Sequence, residues 1–365
     1  MAYFDHNATT PVTSDVLAAM LPTLTEACGN PSSIHRHGQR ARQMVEAARR
    51  QVADRLGCSP KEIVFTSGGT EANNLALSFP ARHIVTSAIE HPAVALTLDR
   101  REQVTVVAPD TRGLITPEAL RAALRSDTDL VSIMHANNEF GTVQPLAELA
   151  AAAHECGALF HSDGVQAPGR MAVDVAALGV DLYSVSGHKM YAPKGTGALY
   201  VRKGVELAPQ LFGGRHEGGR RAGTENVPGI VALGAAAARP LRDTAALRDE
   251  LEAGILAAVP GAVVQGAGAP RLPNTSNIRF AGLEGEALVI ALDLRGFAVS
   301  SGAACSSGAV EPSPALLAIG LTKTEAKSCI RFSLGESNSR EEVVALIAAV
   351  AAAVAHLRKL SPTYV

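Results

Sequence analysis

The stretch from Asp181 to Gly197 is where this chain places a lysine with the means to do chemistry. It opens as a short apolar strand, Leu182 to Val185, breaks at Ser186 and Gly187, and presents His188 and Lys189. Met190, Tyr191, Ala192 and Pro193 follow at once. A lysine lodged against apolar neighbours loses solvation, so its neutral amine is favoured and its pKa falls. A lysine that forms a Schiff base with a carbonyl cofactor requires that shift. A lone lysine in a strand-to-loop turn is ordinarily a solvated surface residue. Here Ser186, His188 and the glycines at 187, 195 and 197 argue against that ordinary role.

Other loops offer groups that would suit the same cofactor. Thr66-Ser67-Gly68-Gly69-Thr70-Glu71 lies between a strand and a helix. Its glycines let the backbone approach an anion, and the helix start offers free N–H groups, which suits one phosphate. It is neither a GxGxxG fingerprint nor a P-loop. Asp163 ends a strand, where an acid can hold a protonated ring nitrogen, and Gln166 can donate to a ring oxygen. An acid in that position otherwise serves as a helix N-cap. His91, after Ile89 and Glu90, can stack on a planar ring or shuttle protons; its ordinary role would be a cap or a core histidine. Asn138, in Asn137-Asn138-Glu139, can hold a carboxylate or a phenolate. Ligands of open α/β sheets sit outside the carboxyl ends of strands. Thr70, His91, Asn138, Asp163 and Lys189 are each weak signals alone. Together they describe a site for a planar, phosphorylated, nitrogen-containing carbonyl compound, pyridoxal 5'-phosphate.

Cys305 lies in a run of small residues from Val299 to Gly308, a setting that gives a side chain reach. Exposed there as a thiolate, it would be nucleophilic. Cys28, Cys58, Cys156 and Cys329 read instead as small buried residues. Arg331, within Ile330 to Ser333, puts a fork-shaped cation in a strand, where burial needs an anionic partner such as a substrate carboxylate.

The elements that must position these groups alternate. Strands are expected at 63–66, 83–87, 104–107, 130–134, 158–161, 182–185 and 198–201, with helices at 41–56, 70–77, 116–124 and 145–156 between them. Continuous apolar strands separated by helices indicate a largely parallel sheet covered on both faces. An alanine-rich helix begins near Pro228. Short strands at 263–265 and 276–280 then mix with helices at 284–294 and 339–360, which places a domain boundary near residue 244. Asp5 to Pro11 and Asn30 to His37 read as polar loops.

With 365 residues and 47% hydrophobic content, the chain has ample material for two domains. Lys and Arg total 33 against 35 Asp and Glu, a net charge of −2, so neither nucleic acid nor an anionic membrane is indicated. The five scattered cysteines show no metal-ligand spacing, no metal site is expected, and reduced cytosolic thiols are the reading. No secretory signal is visible. The longest apolar run, Val343 to Ala355, falls short of the roughly 20 residues a bilayer requires and reads as a buried helix.

Taken together, these residues resemble the cysteine desulfurases, pyridoxal-phosphate enzymes of the class V aminotransferase group. The resemblance spans nearly the whole chain: Asp5 to Pro11, Asn30 to Ser33, Thr66 to Asn73, Glu90-His91, Asn137 to Gly141, His161 to Gln166, Ser186 to Gly197, Arg220 to Asn226, Ser300 to Ser306 and Arg331 to Gly335. The loop around Cys305 is similar to that of the nitrogenase-type and housekeeping iron–sulfur desulfurases. The resemblance implies the type I fold of pyridoxal-phosphate-dependent transferases. That fold has a large α/β domain at 13–244, with a mainly parallel seven-stranded sheet. A smaller α+β domain, made of 1–12 and 245–365, carries the Cys305 loop.

It further implies that Lys189 is the Schiff-base lysine, that Asp163 pairs with the pyridine nitrogen and Gln166 with the phenolic oxygen, and that His91 stacks on the ring. Gly69, Thr70, Ser186 and His188 would hold the phosphate. Thr224 would reach the phosphate of the partner subunit, so a homodimer follows. Asn138 and Arg331 would hold the carboxylate of L-cysteine, Lys189 would move its Cα proton, and Cys305 would accept the sulfur as a persulfide.

Sulfur would then pass to an acceptor such as an iron–sulfur scaffold or a sulfur-carrier protein, in the cytoplasm. Arg215 and Gly218 depart from the glycine-rich pattern of the group. The sequence ends at Val365, where housekeeping relatives extend further for scaffold docking. Selenocysteine lyase, a plain aminotransferase or another class V lyase, and a non-catalytic sulfur-relay scaffold are the competing readings.

Overall fold

The computed structural model describes residues 1–302 and 311–360. Seven of its strands form the central sheet: β2 (Ile63–Thr66), β3 (His83–Ser87), β4 (Val104–Val107), β5 (Thr128–Ser132), β6 (Leu159–Asp163), β7 (Leu182–Ser186) and β8 (Gly197–Val201), in the order β2-β8-β7-β6-β5-β3-β4. The short β1 (Ala2–Tyr3) lies outside this sheet. Only β8 runs against its neighbours, pairing antiparallel with both β2 and β7. Apart from the partly exposed edge strand β4, the strands are mostly buried because both faces are covered, and alternation assigns each residue to a face. Ile63, Phe65, Tyr183, Val185 and Phe160 join a core with the helices α1 (Ser14–Thr25), α2 (Arg36–Leu56), α5 (Pro117–Ala123), α6 (Leu146–Glu155) and α7 (Val227–Ala237). Val64, Leu182, Leu199, Ile84 and Leu130 face the other way, onto α3 (Gly69–Ala76) and α4 (Pro92–Leu98).

A second core surrounds the antiparallel strands β9 (Ala262–Val264), β10 (Thr275–Phe280) and β12 (Cys329–Ser333), which lie in the order β12-β10-β9. The helices α8 (Ala245–Ala258) and α9 (Gly285–Asp293) cover it together with α12 (Arg340–Leu360). The N-terminus belongs to this part too. β1 pairs in parallel with β11 (Phe297–Ala298), and Phe4 is fully buried in the second core. Two short helices, α10 (Pro314–Ala318) and α11 (Lys323–Lys327), close a small cluster with Phe140 and Met134.

α12 is longer than the apolar run that announced it, because Arg340 to Glu342 and His356 to Leu360 continue its turns. By length and composition alone it would cross a membrane. Its stripe of Val343, Leu346, Val350, Ala353 and Val354 is instead buried against α8, α9 and the small sheet. The cysteine expectation needs correction. Among the four described, Cys28 is exposed, Cys58 and Cys156 are half-buried, and only Cys329 is buried. Burial pushes the thiols of Cys58 and Cys329 up to about 12.

The loop with the unusual Arg215 and Gly218 has a structural reason for its glycine. Glu217 adopts φ +50° and Gly218 φ +66°, two successive left-handed residues, the second of which favours glycine. The conformation carries the Glu217 carboxylate inward, where Arg49 donates two hydrogen bonds of 2.8 Å and the Phe65 N–H a third of 3.0 Å.

Candidate active site

Chain alternation places five loops at the same edge of the sheet, beyond the carboxyl ends of β2, β3, β5, β6 and β7. A cavity of about 350 Å³ opens there. Gly69, Thr70, His91, Asn138, Asp163, Gln166, Ser186, His188, Lys189 and Arg331, all marked out in the sequence, line it. Thr224 does not line it and is exposed in the loop after Arg221. Cys305 lies outside the described residues; Ser300 and Gly302, just before it, line the cavity.

Lys189 sits on a single 3-10 turn, Gly187–Lys189, directly after β7. The turn is stapled to the N-terminal segment. The Thr10 N–H and hydroxyl both donate to the His188 carbonyl, and the Thr10 hydroxyl accepts from the Tyr191 N–H. Met190, Tyr191 and Ala192 are buried behind it, as their apolar character required. The amine of Lys189 donates to the carbonyls of Asn7 at 2.5 Å and Ala8 at 2.7 Å. Desolvation lowers its pKa to about 7, helped by Arg170 and Arg331 and opposed by Asp5 and Asp163. Near pH 7 about half of these amines are therefore neutral, against roughly one in a few thousand for a free lysine. In cofactor-free protein, acylation of Lys189 followed by peptide mass spectrometry should titrate with a midpoint near pH 7. The reactive neutral form is gained as pH rises, and a midpoint near that of free lysine would contradict the desolvated setting.

Asp163 closes β6 and is 5% exposed. Asn73 donates to its Oδ2 at 2.7 Å and the Val165 N–H to its Oδ1 at 3.0 Å. The residue after it must be small. A Cβ on Gly164 would collide with the ring of Tyr183, whose hydroxyl is bound to His135 at 2.6 Å. Gly164→Ala should lower stability by about 1–3 kcal/mol through overpacking, measured by denaturant unfolding; an unchanged midpoint would show that Tyr183 yields freely.

Gln166 donates one N–H to the Asn7 carbonyl at 3.1 Å, and its Oε1 is buried without a partner among the described residues. His91 serves in two ways. Its Nδ1 accepts the Ala93 N–H at 3.0 Å and caps α4, while its ring faces the cavity. Surrounding protein lowers its pKa by desolvation, with Lys189 adding to the shift and Asp163 opposing it. Its neutral imidazole is thus favoured. The preceding Glu90 is buried under the same loop, with its carboxyl pushed up to about 8 by desolvation. It accepts from the Ser87 hydroxyl at 2.5 Å and the Met134 N–H at 2.8 Å.

Sequence reasoning missed the contribution of the N-terminal turn. Asp5 to Pro11 reads as a polar loop, yet Asn7 and Ala8 form part of the cavity wall and hold Lys189 and Gln166. The available signal was Asn7 itself, an amide rich enough in donors and acceptors to tie several elements. Its side chain donates to the Asn138 carbonyl and the Thr275 hydroxyl and accepts from Asn274. Asn73 was missed as well. It lies three residues after Thr70, one helical turn along α3, and so points to the same site.

The residues fit pyridoxal phosphate on their own chemistry. A desolvated amine, a buried carboxylate, the Gln166 amide with an N–H beyond the one it gives to the Asn7 carbonyl, and the His91 imidazole share one cavity. The first turn of α3 opens onto it at Gly69 and Thr70 beside Ser186 and His188.

Comparison with known proteins gives consistent results. The family described as aminotransferase class-V matches residues 2–346. Over 99% of its length the chain is 49% identical to a cysteine desulfurase of Cereibacter sphaeroides, covering 97% of that protein. It is 45% identical to cysteine desulfurase 2 of Trichormus variabilis, with 99% of this chain and 94% of that protein covered. A solved NifS-like protein superposes with a TM-score of 0.89 at 36% identity, over 98% of this chain and all of the other.

Proposed function

The chain belongs to the cysteine desulfurases of aminotransferase class V, and from that premise we propose that it takes sulfur from L-cysteine, leaving L-alanine and a persulfide on Cys305, with pyridoxal 5'-phosphate as cofactor. The fold is the α/β architecture with a mainly parallel sheet found in type I pyridoxal-phosphate enzymes. The observation that carries the reading is the desolvated Lys189 amine in one cavity with His91, Asp163, Gln166 and Arg331.

Asp163 would hold the pyridine nitrogen, Gln166 the phenolic oxygen through its second N–H, and His91 the ring face. The N–H groups of Gly69 and Thr70, with Ser186 and His188, would hold the phosphate. When bound, this cofactor supplies an electron sink for charge left on the substrate Cα.

The remaining work belongs to the chain's own groups. Arg331 and Asn138 bind the substrate carboxylate and fix the Cα–H direction. Lys189, neutral at low cost near pH 7, accepts the Cα proton and returns it. The Cys305 thiolate attacks the substrate sulfur. A sulfur–sulfur bond forms as the Cβ–S bond breaks, and the carbon takes up a proton to give alanine. A neutral His91 can accept the thiol proton of the incoming substrate.

We place the domain boundary near 244, with 13–244 as the cofactor domain and 1–12 with 245–365 as the smaller one. The pairing of β1 with β11 and the burial of Phe4 in the second core support the assignment of the N-terminus. A homodimer in which Thr224 reaches the partner's phosphate, an iron–sulfur scaffold or sulfur-carrier acceptor, and a cytoplasmic setting complete the proposal. Its direct test is incubation with L-cysteine. Alanine and enzyme-bound sulfur should appear in equal amounts before an acceptor thiol is added. A keto acid product would favour an aminotransferase instead.

A further inference from the structure

Arg331 raises a question that the substrate alone does not answer. Its side chain is 5% exposed, and a guanidinium stays charged under any working condition. A buried cation without a partner is costly whenever the site is empty. The chain supplies the partner itself. Asp5 places Oδ1 2.7 Å from Nη2, while the Asn138 carbonyl accepts from Nη1 at 3.1 Å. The Nε–H has no acceptor among the described residues.

The two partners do not stand in the same place. Arg331 and Asn138 line the cavity, and Asp5 does not. Asp5 therefore holds the guanidinium from the side of the protein and leaves the substrate's approach open. Its own position is fixed by backbone stitched along β12. Asp5 bridges to Ser333, the Ser333 N–H donates to the Phe4 carbonyl at 2.8 Å, and the His6 N–H donates to the Ser333 carbonyl at 3.1 Å. The Tyr3 hydroxyl closes over the Asp5 carbonyl at 3.0 Å. Asp163 bonds to Asn73, not to Arg331. Desolvation raises the buried Glu139 carboxyl to about 7, which makes it a poor permanent counter-ion. Arg170 adds like charge nearby. Asp5 is thus the anion able to keep this fork in one orientation.

We propose that Asp5 is a positioning residue for substrate recognition, holding the Arg331 fork pre-aimed at the carboxylate of the incoming amino acid; this rests on the reading of Arg331 as the carboxylate anchor. A pre-aimed fork loses little side-chain freedom on binding, so the effect falls on affinity for the free substrate more than on the chemical step.

The test is steady-state kinetics of the cofactor-loaded enzyme with L-cysteine, for Asp5→Ala, Asp5→Asn, Arg331→Lys and the double variant Asp5→Ala with Arg331→Lys. Asp5→Ala should raise KM about tenfold with kcat within about twofold of the parent, and Asp5→Asn, which keeps an acceptor, should raise it only about threefold. The double variant should be little worse than Arg331→Lys alone, because the two residues act as one unit. If Asp5→Ala does not fold, the Asn variant decides alone, and an unchanged KM overturns the proposal. An unchanged KM in both Asp5 variants while Arg331→Lys raises it overturns the positioning role but leaves the anchor. An unchanged KM in Arg331→Lys overturns the anchor and the proposal with it. A fall in kcat or in cofactor absorbance without a KM effect marks Asp5 as merely structural and also overturns it.

Discussion

Lys189→Ala should abolish desulfuration, with kcat reduced by roughly 10³-fold or more, about 4 kcal/mol or more of transition-state stabilisation. Lys189 is asked to do two things that no neighbour replaces. In the proposed reaction its amine would engage the cofactor aldehyde and would then move the Cα proton. The carbonyls of Asn7 and Ala8 aim it from one side, and the turn after β7 fixes it from the other. Of the other cavity-lining groups, His91 has its Nδ1 occupied by the cap of α4. The fold should survive, because the side chain is only half-buried and the Thr10 staple uses backbone groups of the turn. Two measurements check this. After borohydride reduction and dialysis the parent should keep the cofactor covalently attached and the variant should lose it, and alanine formation by the variant should fall to background. Retention of both would remove Lys189 from the mechanism.

The second large effect is expected at Cys305. Cys305→Ala should lose roughly 10²-fold or more of its sulfur release from L-cysteine, because no other residue is assigned to receive the sulfur. Cofactor absorbance should be untouched, since none of the groups proposed to hold the ring is altered. After a single addition of L-cysteine, the parent's Cys305 peptide should gain the mass of one sulfur atom and the variant's none. The same variant separates the competing activity. A selenocysteine lyase that eliminates without a protein thiol would keep its turnover of selenocysteine, whereas an enzyme bound to the persulfide route would not. Undiminished sulfide release from L-cysteine by Cys305→Ala would overturn the persulfide mechanism outright.

The two variants divide the reaction between groups of different legibility. Lys189, Asp163, His91 and Thr70 could be read from the sequence because each sits just past an apolar strand, and a parallel sheet brings all such ends to one edge. That is a consequence of parallel pairing, which points all of these strands the same way. The central sheet was legible for the same reason, down to its seven strands, although the direction of β8 was not. A strand buried on both faces looks the same whichever way it runs.

Asp5, Asn7 and Ala8 were not legible as site residues. Their turn is separated from Lys189 by more than a hundred residues, and no local pattern announces which distant strand a polar turn will lie against. The structure shows it pinned between β12 and the turn bearing Lys189, where its carbonyls meet an amine and its carboxylate meets Arg331. Arg331 was read as needing an anion, which is correct on burial alone. That the protein provides one was a matter of tertiary placement.

Local sequence therefore determined which chemical groups this protein owns and which strand ends carry them, because strand periodicity and helix starts are set by neighbours a few residues away. Tertiary structure decided what those groups feel. Desolvation, counter-charge and aim come from segments that meet only when the chain closes, and these lowered the Lys189 amine to about 7 and fixed the Arg331 fork in place.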